Sequence, residues 1–376
     1  MNYIVAFVIL ITVVVFIHEY GHYYFAKKYG VETKVFSIGL GKEIFGWNDK
    51  SGTRWRVSWI PIGGYVKFFG DDNIFSAFDK KKLQKKYSPE DQKKLLAFKT
   101  LSQRSIILLG GPLANFLLAI VIYFLIFTFV GKDFTPASID DVQKGSPAYV
   151  AGLKKNDIIL SIDGNEIKSI LNVPKFITLS NSEYIDVLVS RSDQEVNLKV
   201  KPNIVEAEDQ FGNKFKKREI GIKIIPFNNE INHVRLGPAK ALYYSIYEVY
   251  SVSTSILKVT WGLLRGLGDS SQLGGPIRIA KFSGQVIELG IVPFFSIIAY
   301  ISTSLGLVNL FPIPLLDGGH LFFNLIEKIR GRPLSRKSLE FAFRIGVLTI
   351  GFLIIFTTFN DLKDVGLLEF LRPLSH

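Results

Sequence analysis

Cysteine is absent from all 376 residues. Its absence excludes disulfides, thiolate metal sites and thiol nucleophiles, and leaves any transition metal to histidine and carboxylate ligands. Histidine is itself scarce, with five in the chain, so a metal site has few places to be. No internal repeat is visible. Lys and Arg are missing ahead of the first apolar run, and no small-x-small cleavage site follows it, which argues against a signal peptide. Charge is missing from long stretches: Ser105 to Val130 and Ile291 to Leu316 carry none over 26 residues each. Crossing a hydrocarbon core takes about 20 residues. With 48% hydrophobic residues and a mean hydropathy of +0.26, a purely soluble globular protein is not expected.

Four membrane helices are predicted: 1–28, uncharged from Tyr3 to Ile17; 105–130; 291–326; and 341–362, with Arg344 near one end where it can snorkel. Segment 236–290 is read as amphipathic and lying on the membrane, because Glu248 and Lys258 interrupt Ala239 to Leu264. Lys and Arg outnumber Asp and Glu by 45 to 33, and the excess is uneven. Between Ala26 and Ser105 the count is 17 against 8, and between Gly131 and Arg235 it is 15 against 15. The connection 327–340 is basic again. The positive-inside rule places 29–104 and 327–340 in the cytoplasm, and both termini, 131–235 and the tail 363–376 outside it. A fifth span would put the basic 327–340 connection on the wrong side. The net positive charge is thereby assigned to membrane topology, with no nucleic-acid partner expected.

The expected fold is a polytopic α-helical membrane protein of four spans, carrying a membrane-associated β-hairpin or sheet on the cytoplasmic side. An extracytoplasmic α/β domain completes it. Within 29–104, short strands end in Trp59-Ile-Pro-Ile-Gly63-Gly64-Tyr65, a hairpin dipping into the bilayer beside Trp55 and Trp59; Asp71 to Thr100 is Lys-rich, polar and solvated. In 131–235, Asp163-Gly164-Asn165 after a strand marks a hairpin. The stretch from Gly145-Ser-Pro-Ala148 through Ala151-Gly152-Leu153 to Gly164 resembles a bacterial PDZ domain.

His233 and His376 read as surface residues. His18-Glu19-Tyr20-Gly21-His22 matches H-E-x-x-H on the first span. Positions i and i+4 share a helix face, so both imidazoles can bind one Zn²⁺, while Glu19 is turned aside and can act as base on the attacking water. Ionisable groups inside a span are costly without such a purpose. A catalytic zinc needs a third protein ligand, and Asp317, at the cytoplasmic end of the third span, reaches a similar depth. Pro312, Pro314, Gly318 and Gly319 around it cannot sustain an ordinary helix and suit a backbone that lines a cavity. His320 would fill the position water needs, and is read as supporting or structural.

Together, H-E-x-x-H, Asn309-x-x-Pro312-x-Pro314-x-Leu316-Asp317-Gly318 and the intervening PDZ-like domain resemble the site-2 protease family, most closely the bacterial regulator-of-sigma-E type zinc metalloprotease. Gly110-Gly-Pro112-Leu-Ala-Asn115 and Gly275-Pro-Ile-Arg-Ile-Ala-Lys281 are similar to further motifs of that group. The resemblance implies a bacterial inner-membrane endopeptidase with Zn²⁺ on His18, His22 and Asp317 and with Glu19 catalytic. It also implies that Asn309 helps to hold the substrate backbone. Implied substrates are single-span membrane proteins, such as anti-sigma factors or signal-peptide remnants, first trimmed by an upstream site-1-type protease. One apparent PDZ domain stands where the enterobacterial form has two. The Gly63-Gly64-Tyr65 hairpin is the candidate edge for holding an unwound substrate by strand addition. Two other readings are a membrane-tethered PDZ sensor with a vestigial metal site and a metal-ion transporter. The intact ligand set opposes the first, and the lack of duplicated halves opposes the second.

Overall fold

The computed structural model describes residues 2–70, 80–180, 182–208, 214–266 and 273–364. It forms two units, Met1–Tyr123 with Gly274–Asp361, and Phe124–Leu273 with Leu362–His376. Four helical stretches are long and apolar enough to cross a membrane: Tyr3–Lys28, Leu101–Val130, Ile291–Asn309 and Arg336–Lys363.

The first unit opens with α1 (Asn2–Lys28), followed by β1 (Thr33–Asn48) and β2 (Arg54–Phe68). The two long strands double back on themselves. Val35 to Ile38 pair with Lys67 to Gly64 on one side and with Arg54 to Val57 on the other, while Glu43 to Asn48 pair with Ser58 to Arg54. The result is a small sheet in which residues 64–68 have a ladder partner on one side only among the described strands. Phe36 and Trp55 stack within it at 4.2 Å, and Phe16 and Tyr23 of α1 pack edge-on against Phe36. Asp49 pins the far turn to α1. It accepts from Tyr23 Oη at 2.8 Å, Thr53 N at 2.9 Å and Trp55 Nε1 at 3.1 Å. Burial alone would raise the Asp49 carboxyl, but the Ser51, Tyr23, Thr53 and Trp55 donors outweigh it and hold the group well below the usual carboxylate range.

The Lys-rich segment that follows is partly helical, with α2 (Lys80–Lys86) and α3 (Pro89–Gln92); residues 71–79 lie outside the described set. Next comes α4 (Leu101–Leu125), which starts four residues before the predicted span and runs into a π-helical turn, Ile126–Val130. 

The second unit carries a sheet in the order β11-β4-β5-β7-β8, from β4 (Ala137–Val142), β5 (Ile158–Ile162), β7 (Ile185–Arg191), β8 (Gln194–Val200) and β11 (Ile222–Pro226). The short β6 (Asn165–Glu166) sits on β5. Ile185, Val187 and Val189 alternate inward along β7, as the two-residue period of a strand requires. They meet Ile139, Ile159 and Ile162, with Ala148 of α5 (Pro147–Val150) and Val173 and Ile177 of α6 (Asn172–Leu179). Arg191 donates twice to Asp157, Nε to Oδ1 and Nη2 to Oδ2, each at 2.7 Å; Asp157 is 1% exposed. Two further ribbons, β9 (Asn203–Glu208) with β10 (Lys214–Glu219) and β3 (Lys132–Asp133) with β12 (His233–Val234), complete the strands. Segment Ala239 to Leu264 lies in one helix, α7 (Pro238–Leu264), whose Glu248 accepts from Lys132 Nζ at 2.8 Å.

The chain returns to the first unit with α8 (Pro276–Glu288), which packs along α1, and α9 (Ile291–Asn309). The third span, expected as one helix over 291–326, is two. It stops at Asn309 and restarts as α10 (Asp317–Arg330). Pro312 and Pro314 lack the N–H a continuing helix needs and restrict the residues before them, and Leu315 takes a φ of +93°. The last helix, α11 (Arg336–Asp364), begins five residues ahead of the predicted span, so most of the basic 327–340 connection is helical. Its Asp361, 1% exposed, accepts N–H donors at the start of α8, from Gly275 at 2.8 Å and from Ile277 and Arg278 at 3.0 Å. The tail beyond Asp364 lies outside the described residues.

Candidate metal centre

The i,i+4 spacing on α1 brings the two imidazoles together edge-on, their planes 83° apart, with His18 Nε2 and His22 Nε2 separated by 3.2 Å. Both side chains are buried, at 7% and 9% exposure. Asp317, the first residue of α10, completes the group: its Oδ2 lies 3.2 Å from His18 Nε2 and 3.4 Å from His22 Nε2. Among the described residues this is the one group of three or more potential metal ligands with mutually close donor atoms. Ligands at about 2.0–2.2 Å in tetrahedral directions stand roughly 3.3 Å apart. The three separations therefore match what a single zinc-sized ion requires, and the N₂O donor set suits zinc.

The surroundings keep that space open. Gly21 of α1 and Gly110 of α4 lie back to back, so closely that a Cβ on Gly21 would collide with the Gly110 carbonyl. A Cβ on the next residue, Gly111, would collide with His22 Nε2 and come within 2.8 Å of His18 Cε1. Glycine at 111 thus leaves free the volume in front of the imidazole nitrogens. His22 Nδ1 lies 2.8 Å from the carbonyl of Ile107, so in the neutral imidazole the proton sits on Nδ1 and the Nε2 lone pair faces Asp317. α10 is fastened to α4 by Arg104 Nη2 donating to Glu327 at 2.8 Å and by Asn324 Nδ2 donating to Ser105 Oγ at 3.2 Å. Two tertiary contacts within three turns of Asp317 therefore fix where its carboxylate falls.

Glu19 is not one of the three donors; its side chain lies against the small sheet. A Cβ on Gly64 would stand 3.3 Å from its Cγ. The one-sided edge 64–68 thus runs beside Glu19. Gly63 turns the chain with φ +86°, and the Tyr65 hydroxyl accepts from Arg56. Asn309, the last residue of α9, has Nδ2 3.4 Å from His18 Nε2. His320 is not one of the donors; its ring packs against Phe343 and Phe323 at 5.4 and 6.3 Å. His233 is exposed in β12, and His376 lies outside the described residues. Three contributors escaped sequence reasoning: the Ile107 carbonyl, Gly111 and the contact of Asn115 with His18. The Gly110-Gly-Pro112 run was the one available signal, and it shows that α4 is unusual there without showing why.

Peptidase family M50 matches residues 6–353. The chain is 39% identical to a putative zinc metalloprotease of Agrobacterium fabrum, over 97% of this chain and 96% of that one. It is 35% identical to a putative zinc metalloprotease of Rickettsia conorii, over 96% and 99%. Against metalloprotease MmpA of Caulobacter vibrioides the identity is 32%, over 99% and 98%.

Proposed function

Since the chain belongs to peptidase family M50, the site-2 protease family, we propose that it is a zinc-dependent intramembrane endopeptidase, cutting peptide bonds in or near the membrane helices of pre-trimmed proteins. The observation that carries this is the triangle of His18, His22 and Asp317 donors, with Glu19 directed to a strand edge alongside.

In this reading His18, His22 and Asp317 hold Zn²⁺, which when bound supplies Lewis acidity to the scissile carbonyl and to the attacking water. Glu19 takes the proton of that water and returns it to the departing amine. A peptide bond inside a substrate helix is shielded by its own hydrogen bonds, so the segment must be unwound before attack. Residues 64–68, paired on one side only among the described strands, offer an edge to such a segment, which would add as a further strand with Gly63, Gly64 and Tyr65 at its reacting end. Asn309, with its amide beside His18, is placed to hold the substrate backbone.

Loop charge argues for a multi-pass protein of a bacterial inner membrane, with the second unit and both termini outside the cytoplasm. In that orientation the PDZ-like second unit decides which substrates are admitted and contributes no catalytic group. Anti-sigma-factor-like proteins or signal-peptide remnants, released by a site-1-type protease, are the matching substrates. The decisive experiment compares wild type with Glu19→Gln on a membrane substrate while measuring bound zinc. Glu19→Gln should keep zinc and lose cleavage by about 10²–10⁴-fold, the usual contribution of a general base. Normal cleavage by the variant would sink the mechanism.

A further inference from the structure

Asn115 belongs to no part of the mechanism above, yet it is fully buried against a zinc ligand. It lies on α4, one turn beyond Gly111, and its Nδ2 stands 3.3 Å from His18 Nδ1. Its own backbone carbonyl is held by Ser302 of α9, whose Oγ donates to it at 2.9 Å; Ser302 is also fully buried. Across the same interface, a Cβ on Gly306 would stand 3.3 Å from the Asn115 Cβ. Asn115 is therefore gripped between α4 and α9 and cannot swing away from His18. Its Oδ1, meanwhile, is buried without a hydrogen-bond partner, which is uncommon for a polar atom so far from water.

The chemistry of a metal-ligating imidazole decides how that amide must face. His18 presents Nε2 to Asp317 and His22, so Nε2 must carry the lone pair and Nδ1 the proton. An N–H on Nδ1 needs an acceptor, and an amide NH₂ facing it would oppose donor to donor. The two ends of an Asn amide exchange by a half-turn about its last side-chain bond, and their assignment follows from the hydrogen-bond network. Turned over, Oδ1 receives the His18 proton and ceases to be an orphan at that position. Each histidine then has a carbonyl oxygen behind it: Ile107 for His22, from backbone, and Asn115 for His18, from a side chain.

We propose that Asn115 is a positioning residue, which accepts the Nδ1–H of His18 through Oδ1 and so fixes the tautomer and ring orientation in which His18 binds zinc. This rests on the zinc reading given above and adds to it an outer partner. Such partners are typically worth 10–100-fold in metal affinity.

The test measures zinc affinity of the full-length detergent-solubilised protein by chelator competition, with thermal unfolding of the zinc-free form as a check on folding. Asn115→Leu keeps the volume and removes the acceptor; it should weaken zinc about 10–100-fold. Asn115→Asp restores an acceptor and should hold zinc within a few-fold of wild type or more tightly. Unchanged affinity in a folded Asn115→Leu overturns the proposal, and so does an Asn115→Asp as weak as Asn115→Leu. If Asn115→Leu does not fold, Asn115→Asp decides alone: wild-type or tighter zinc supports the role, and a loss beyond tenfold refutes it. Wild-type protein that binds no zinc would instead bring down the metal reading itself, and this proposal with it.

Discussion

His18 and His22 stand one turn apart on a helix that runs unbroken for 27 residues, whereas Asp317 opens a helix that starts only after Pro312 and Pro314 have ended the one before. In the first case the helical repeat alone sets the donor geometry. In the second, the donor falls in place through a break between two helices, a residue with φ +93° and polar fastenings to α4. Local order is robust and easily read; tertiary order is adjustable and hard to read. The two halves of one site should therefore fail differently.

The largest effect should come from the local half. His22→Ala removes a proposed ligand from a rigid face that cannot rearrange to replace it, and zinc affinity should fall by more than about 100-fold, beyond what loss of an outer hydrogen bond costs. Asp317→Ala should also weaken zinc, but by less, because α9, α10 and the segment between them can adjust. Elemental analysis of both variants after equal dialysis makes the comparison; equal zinc in Asp317→Ala and wild type would remove Asp317 from the ligand set. Gly111→Ala comes next. It alters no ligand, yet its methyl would meet His22 Nε2. Zinc should be lost together with about 1–3 kcal/mol of stability, the usual cost of overpacking, and a zinc-replete variant would show that the donor space lies elsewhere.

A smaller effect should follow from Arg104→Ala, which frees Glu327 and loosens α10 without touching Asp317. Zinc should weaken by roughly tenfold, in the range of outer-partner losses, with partial recovery when Arg104→Glu is combined with Glu327→Arg. Failure of the swap to recover anything would mean that the ion pair does not position α10. The smallest effect on the site should come from Arg191→Ala. It strands the buried Asp157 carboxylate of the second unit, at about 3–5 kcal/mol for a broken buried pair, and zinc binding should be unchanged. Lost zinc in a variant whose first unit stays folded would show the two units to be energetically coupled.

The legibility of this molecule follows the same division. Long apolar runs and a four-residue histidine spacing are local signals, and they pointed to four long apolar helices and to His18, Glu19 and His22. Asp317 was legible as a carboxylate at the end of another uncharged run, and charge topology agreed afterwards by setting it at a depth similar to that of the histidines. The break at 310–316 was half visible: the prolines announced a helix that could not continue, but not that a second helix would begin at Asp317. The doubling of β1 and β2 into a four-segment sheet was hidden, because pairing one segment on both sides is a property of register. Asn115 and the Ile107 carbonyl were hidden for a plainer reason. A backbone oxygen has no sequence signature, and an Asn in an apolar run says nothing about which ring it faces.

Asp361 gives the C-terminal helix a duty besides anchorage. By taking three N–H groups where α8 begins, it ties the end of the last helix to an element that packs along α1, the carrier of the histidine pair. A chain cut short just before residue 361 would keep the apolar stretch of that helix yet leave those N–H groups without their anion. The end of the last helix is thus joined, by way of α8, to the helix of the histidine pair, through one carboxylate acting as a tie rod.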